Sequence, residues 1–318
     1  MEYAPPAVLP WVGDTGARSA CRNPLRTARR ALVLLLPVNL APDLAALNDL
    51  GGFFVLRTGA PPHRPLPSLA QAYATPVTDP TTAPVTDPTT APVTDPTTAP
   101  VTDPTTASTT DPATDPDGHP LAVRVRRVAD GIGAPEARVA ASVAHQALAA
   151  RLWSAALGCA VLYGRLPDLD ARLIRWDPAG SAPDDLWLTE VRARPADPDT
   201  VADAVLHGHL EPLAAALRAR YRLAPGLLRG NAASALAAAA RLLESRARDS
   251  GRTAAGHHAR ELAARLLAHP LLHGAGTGTG TGFRRRSCCL YYRVPGGGLC
   301  GDCCFTRVPG SSPRAASE

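Results

Sequence analysis

Lysine is missing altogether: all 33 basic residues are arginine, against 28 acidic ones, for a net charge of +5. Chains that hold nucleic acid by charge concentrate it in patches or runs. Here the surplus is spread thinly through an alanine-, proline- and glycine-rich composition of the kind a GC-rich coding bias produces, and the one run of three is Arg284, Arg285 and Arg286. A nucleic-acid partner is therefore not expected. Long hydrophobic runs are also lacking. The best, ALVLLLPV from Ala31 to Val38, has eight residues and a proline, where a membrane helix needs about 20. Arg29 and Arg30 precede that run, as they would in a signal peptide, but no small-residue cleavage site follows. The expectation is a cytoplasmic chain with no transmembrane segment, with peripheral membrane contact left open. No G-x-G-x-x-G loop joins a strand to a helix and no P-loop is present, so no nicotinamide, flavin or nucleotide site is predicted.

Cysteine is scarce too, at seven residues in 318. An odd number cannot close into a complete disulfide set, and in a cytoplasmic chain thiols serve more often as metal ligands. Five of the seven fall between Cys288 and Cys304.

What is there in quantity is helical pattern. Leu121, Val125 and Val128 share one helical face, and Val139, Val143 and Ala147 start a longer helix running to about Leu157. Leu213, Leu217 and Tyr221 repeat every four residues, with Pro212 in the first turn and Pro225-Gly226 as the stop. Asn231 reads as the amino-terminal cap of the alanine-rich helix after it. Leu262, Leu266 and Leu267 mark a last helix ending near Pro270. LGGFFVLRTG, from Leu50 to Gly59, reads as a short buried strand between glycines, and Ala171–Trp176 and Leu186–Ala193 as a pair of strands.

The predicted class is mostly α (α+β): a helical domain with a small antiparallel sheet and a carboxy-terminal cysteine-rich segment. Its expected parts are a poorly ordered tail over 1–35, a first piece of the helical domain over 36–74, and an insertion over 75–118. The helical body then occupies 119–273, a glycine/threonine hinge 274–282, the cysteine segment 283–305 and a disordered tail 306–318. The insertion carries four copies of an eight-residue unit, VTDPTTAP three times and then VTDPTTAS. Proline removes backbone donors and valine is the largest apolar side chain in the unit, so disorder is predicted for it.

Within the cysteine segment, Cys288-Cys289 are followed after ten residues by Cys300-x-x-Cys303, with Cys304 directly behind. A C-x-x-C turn aims two sulfurs at one metal, and the surrounding glycines let backbone N–H groups approach sulfur. Soft thiolates suit zinc or an iron–sulfur cluster. Zinc sites usually pair two C-x₂₋₄-C knuckles, and the adjacent Cys288-Cys289 pair is unusual among them. Residue spacing alone leaves both open.

The pattern CC-x₁₀-C-x₂-C, preceded by RRRS and containing YYR and GGGLCGDC, resembles the FhuF-like ferric-siderophore reductases. Fainter likeness runs back through GNAASAL (Gly230–Leu236), ARVAASVAHQALAARLW and DLGGFFVL. The resemblance implies a [2Fe–2S] cluster on Cys288, Cys289, Cys300 and Cys303. It implies one-electron reduction of Fe(III) in a ferric siderophore, with release of Fe(II) in the cytoplasm. A separate electron donor, of the ferredoxin or flavodoxin kind, would serve a body without an organic cofactor. No catalytic residue beyond the cluster is assigned. Cys304 departs from the motif, and Cys21 and Cys159 read as bystanders. Arg284, Arg285 and Arg286 are expected to offset the charge of the thiolates and to steer an acidic partner or an anionic complex. Tyr291, Tyr292 and Phe305 are expected to pack the segment on the body. His145, His207, His209, His257 and His258 are given no ligand role. The rival readings are a zinc-stapled binding module and an iron–sulfur redox sensor. The second lacks a helix-turn-helix with a basic recognition helix.

Overall fold

The computed structural model describes residues 40–61, 64–74, 118–278 and 282–309. The expected tail over 1–35, the repeat from Val77 to Ser108 and residues 310–318 lie outside these. No helix among the described residues is long and apolar enough to cross a membrane.

The fold is mostly helical with small sheets. Helix α1 (Ala41–Ala46) runs into a 3₁₀ turn, then strand β1 (Arg57–Thr58) and helix α2 (Leu69–Tyr73). A reciprocal capping box between Ser68 and Gln71 starts α2. Helix α3 (Pro120–Ile132) starts with proline in its first turn and stops at Gly133, whose φ of 61° is the left-handed conformation that ends helices. Helix α4 (Ala137–Tyr163) is the longest, and it stops the same way at Gly164. Strands β2 (Arg165–Pro167), β3 (Ile174–Trp176), β4 (Leu186–Leu188) and β5 (Ala193–Pro195) follow. Helix α5 (Pro198–Ala202) opens on an Asp197 cap and passes through a π-helical stretch, Asp203–Leu210, into α6 (Glu211–Tyr221). Helices α7 (Pro225–Asp249) and α8 (Thr253–Leu267) complete the body, and strands β6 (Gly276–Thr277) and β7 (Arg284–Arg285) lead into the cysteine segment.

Helix α4 is the axis. Over residues 151–160 it is buried on every side, and it packs on α3, α6, α7 and α8. Alanine dominates its contact with α7, so the two backbones approach closely. Trp153 fixes their register by donating its indole N–H to Ala232 O at 3.1 Å. Arg151, 2% exposed, donates to Asp185 at 3.0 Å and to the carbonyls of Gly52, Phe53 and Val55. This single side chain holds the 52–55 segment against the helix. It also accounts for a difference from the sequence reading. Phe54, Val55 and Leu56 are buried, but the carbonyls of Gly52, Phe53 and Val55 satisfy a guanidinium, so the expected strand over 50–59 shrinks to Arg57–Thr58.

β4 pairs antiparallel with β3 and parallel with β1, and β2 pairs antiparallel with β5. The expected strand pair over 171–176 and 186–193 is there, narrowed to three residues each. A second difference concerns α7. Pro225-Gly226 begins this helix rather than ending the previous one, since α6 already stops at Arg222 with φ 50°. Asn231 is consequently an interior residue of α7, fully buried, and not a cap. The stretch expected to be a hinge contributes Gly276 and Thr277 to a strand pair with Arg285 and Arg284.

Candidate functional site

The cysteine segment enters the body on β7. Phe283 is buried against Gly276, where an added Cβ would lie 2.4 Å from the ring. Arg285 then turns inward and is 2% exposed. Its guanidinium donates to Ser287 O at 2.7 Å, Leu227 O at 3.3 Å, Gln146 Oε1 at 3.4 Å and Asn231 Oδ1. Asn231 in turn donates its amide to Ser142 O at 2.9 Å and Oγ at 3.1 Å, and Ser142 Oγ donates to Cys289 O at 2.7 Å. One continuous chain of hydrogen bonds thus joins α7 and α4 to the first pair of cysteines. Satisfied networks of this kind are rigid, and each broken member is costly.

A second anchor holds the other pair. Arg285 N–H donates to Asp302 O at 3.0 Å. The Asp302 carboxylate, 6% exposed, accepts from Ser234 Oγ at 2.6 Å and pairs with Arg241 at 3.0 Å. Arg284 caps the end of the segment by donating to Cys303 O at 3.0 Å and Phe305 O at 3.4 Å. Gly230 makes the close approach geometrically feasible: a Cβ there would sit 2.2 Å from Ser287 Oγ. Arg293 pairs with Glu136 at 2.7 Å, and the rings of Tyr292 and Phe305 meet edge to face.

The thiols lie within one another's fields. Cys289 and Cys300 share a hydrogen bond, which brings the Cys289 thiol down to about 7 and pushes Cys300 up. Burial raises Cys288 and Cys304. The buried charge of Arg285 favours the thiolate at Cys288, Cys289, Cys300 and Cys304 alike. Backbone N–H groups point at sulfur twice: Leu290 to Cys288 Sγ at 3.2 Å, and Phe305 to Cys303 Sγ at 3.4 Å. Leu290 reaches this position with φ 69°, unusual for a side chain of its size. Cys303 N–H closes the C-x-x-C turn on Cys300 O at 3.1 Å. Among the described residues, no three His, Cys, Asp or Glu side chains converge to hold a single metal ion. The donor set is instead soft thiols, a buried positive charge behind them and N–H groups on two sulfurs. That set fits an anionic iron–sulfur cluster, whose four thiolates are shared between two irons.

The arginine run thus divides. Arg285 is internal, while Arg284 and Arg286 are exposed. Cys304 lies at the edge of the group, half-buried, and Cys159 is buried in the core, away from the segment. Cys21 lies outside the described residues. His209 is buried, with Tyr73 Oη at 2.9 Å and Leu169 O on its two nitrogens. His207 pairs with Glu211, and His257 and His258 are exposed on α8. The sequence reading did not single out Ser142, Ser234 or Asp302, and it misread Asn231. For Ser142, Asn231 and Ser234 the common signal is a small polar side chain set in an otherwise alanine and leucine helix.

Residues 285–305 match the family model described as the FhuF 2Fe-2S C-terminal domain. No curated protein matches the chain.

Proposed function

We propose, with residues 285–305 being a FhuF 2Fe-2S C-terminal domain, that this protein reduces Fe(III) in a ferric siderophore to Fe(II) and so releases the iron in the cytoplasm. The cofactor is a [2Fe–2S] cluster, and the ligands we assign to it are Cys288, Cys289, Cys300 and Cys303. The observation that carries the reading is the match of the cysteine segment, seated on a body that offers a buried counter-charge at Arg285. When bound, the cluster supplies a one-electron relay. The chain supplies the rest. Arg285 stabilises thiolates from inside the body, Leu290 and Phe305 place N–H groups on sulfur, and Arg284 ties the end of the segment down. Such hydrogen bonds and charges raise a cluster's potential. The substrate chemistry is consistent: hard oxygen donors favour Fe(III), and the softer Fe(II) binds them less well. The electron would come from a separate carrier of the ferredoxin or flavodoxin kind.

The test is direct. Holoprotein reduced chemically should be reoxidised by a ferric siderophore in stopped flow, with Fe(II) appearing in a ferrous chelator in a one-to-one ratio. An intact cluster that passes no electron to any of a panel of ferric siderophores overturns the reading. A colourless protein with stoichiometric zinc does so too. Serine at Cys288, Cys289, Cys300 or Cys303 should each abolish the visible charge-transfer bands, and Cys304→Ser should keep them. Loss on Cys304→Ser with retention on Cys303→Ser would move the assignment by one residue.

A further inference from the structure

A cavity of about 560 Å³ opens between the π-helical stretch, α6 and α7. Its size is that of ordinary small-molecule sites. Leu206, Leu228 and Leu272 give it apolar walls, and His145 of α4 lies at its inner end. His145 is 1% exposed, and its Nδ1 has no hydrogen-bond partner. Buried polar atoms are nearly always paired, so an orphan facing a cavity points to something that the cavity receives. Burial, with the charge of Arg285 behind it, keeps this imidazole neutral, so it offers a hydrogen bond and no charge.

The outer end is different. Arg218 and Arg229 line it, both exposed, and neither guanidinium has an ion-pair or hydrogen-bond partner among the described residues. Glu211, the acidic residue on the lining, is engaged by His207. That histidine is charged only when protonated, so the mouth sets two arginines against one carboxylate and is positive on balance. The inner wall is the back of the network that seats the cysteines. Leu228 and Ala232 of the lining follow Leu227 and Asn231, which accept from Arg285, and His145 precedes Gln146, which does the same. The cavity and the seat of the cysteine segment thus use neighbouring positions of α4 and α7.

We infer that this cavity receives the ferric complex, and that it selects anionic chelates with an aryl or alkyl periphery over neutral ones. The inference rests on the reductase reading for the identity of its occupant. Apolar walls take the periphery, His145 Nδ1 pairs with a polar group at the inner end, and Arg218 and Arg229 hold the negative charge at the mouth.

Gallium(III) complexes test binding apart from electron transfer, since Ga(III) has the size and ligand preference of Fe(III) and is not reduced here. Calorimetric titration of holoprotein should show gallium(III) tris-catecholate, a trianion, binding at least about tenfold more tightly than neutral gallium(III) tris-acetohydroxamate. The double variant Arg218→Glu, Arg229→Glu should abolish that preference. Ala215→Trp, at an exposed lining position, should weaken the trianion at least about tenfold while leaving the helical circular dichroism and the cluster spectrum unchanged. Equal affinities for the two complexes, or unaltered trianion binding in both variants, overturns the inference. Tight, variant-sensitive binding of the gallium trianion, with no electron passed from the reduced cluster to any of a panel of ferric siderophores, would instead overturn the reductase reading and leave the site standing.

Discussion

Helix α4 and the cysteine segment touch through Ser142 and Cys289, yet they are assembled on different principles. Along α4, most alanines and leucines are buried and the neighbours are mainly other helices. Its stability comes from apolar area and close packing. Along 283–305, the buried hydrophobic side chains are Phe283, Cys289, Leu290, Val294 and Cys303, too few to order a segment of this length by packing. Pieces below about 40 residues commonly need a metal or cross-link to hold a shape. This one borrows the body's polar groups, with Asn231, Ser142 and Ser234 meeting Arg285, Cys289 and Asp302, and the cluster supplies the remainder. The lesson is that the polar residues of α4 and α7 belong functionally to the segment, although they lie far from it in sequence.

The largest expected effect separates the two regions. Gly230→Ala would place a Cβ 2.2 Å from Ser287 Oγ and 3.0 Å from Arg285 Nη2. Overpacking of this kind costs about 1–3 kcal/mol even where side chains can give way, and here it falls on the seat of the segment. Alanine is otherwise favourable in a helix interior. The variant should keep its helical circular dichroism and its thermal midpoint but lose most of its iron and visible absorbance on purification. If iron content is unchanged, Gly230 does not define the seat. If the helices melt as well, the body depends on the segment and the contrast drawn above fails.

That glycine also marks what the sequence disclosed. Helix positions were readable from apolar spacing, because α3, α4, α6 and α8 expose a polar side or end at glycine. The cysteine register was readable because its ligand types are chemically distinctive. Three features escaped. The start of α7 was mistaken because Pro225 suits both the end of one helix and the first turn of the next. Arg285 looked like its exposed neighbours, since an arginine's burial is decided by partners supplied from Leu227, Asn231 and Gln146, remote in sequence. The strand at 50–59 was overextended because its buried apolar run is indistinguishable by pattern from backbone that serves Arg151.

A smaller effect acts on the body first. His145 and His209 are buried, and desolvation lowers them to about 3 and about 4. Unfolded, each titrates near 6.5. Below about pH 6.5 the unfolded chain therefore binds protons that the folded one refuses. Stability is complete above that pH and declines as pH falls toward about 4 for His209 and about 3 for His145. The slope is about 1.4 kcal/mol per pH unit for each histidine. Urea unfolding followed by circular dichroism should show a lower midpoint at pH 5 than at pH 7, with His209→Asn removing about half of the difference. A midpoint equal at the two pH values would mean that these imidazoles have water or a ligand to accept the proton.

The smallest effect concerns the three arginines, which share a sequence run but not a role. Arg285 is internal, Arg284 spends its guanidinium on the carbonyls of Cys303 and Phe305, and Arg286 is exposed, its backbone N–H bound to Ala275 O. An exposed charge acts on an approaching partner through solvent, where screening at 0.15 M salt limits its reach to about 8 Å. Arg286→Gln should slow reduction of the cluster by an acidic ferredoxin-type donor a few-fold at 0.01 M salt, and the deficit should shrink toward nothing by about 0.15 M. Arg284→Gln should behave otherwise. It loses the guanidinium's three hydrogen bonds to two carbonyls at the end of the segment, so its deficit should persist at both ionic strengths and be accompanied by a shift in the cluster's reduction potential. Stopped-flow traces at the two salt concentrations, with a potentiometric titration of each variant, separate steering from seating. If the Arg286 deficit is independent of salt, that residue also holds the segment, and the division of labour within the run is lost.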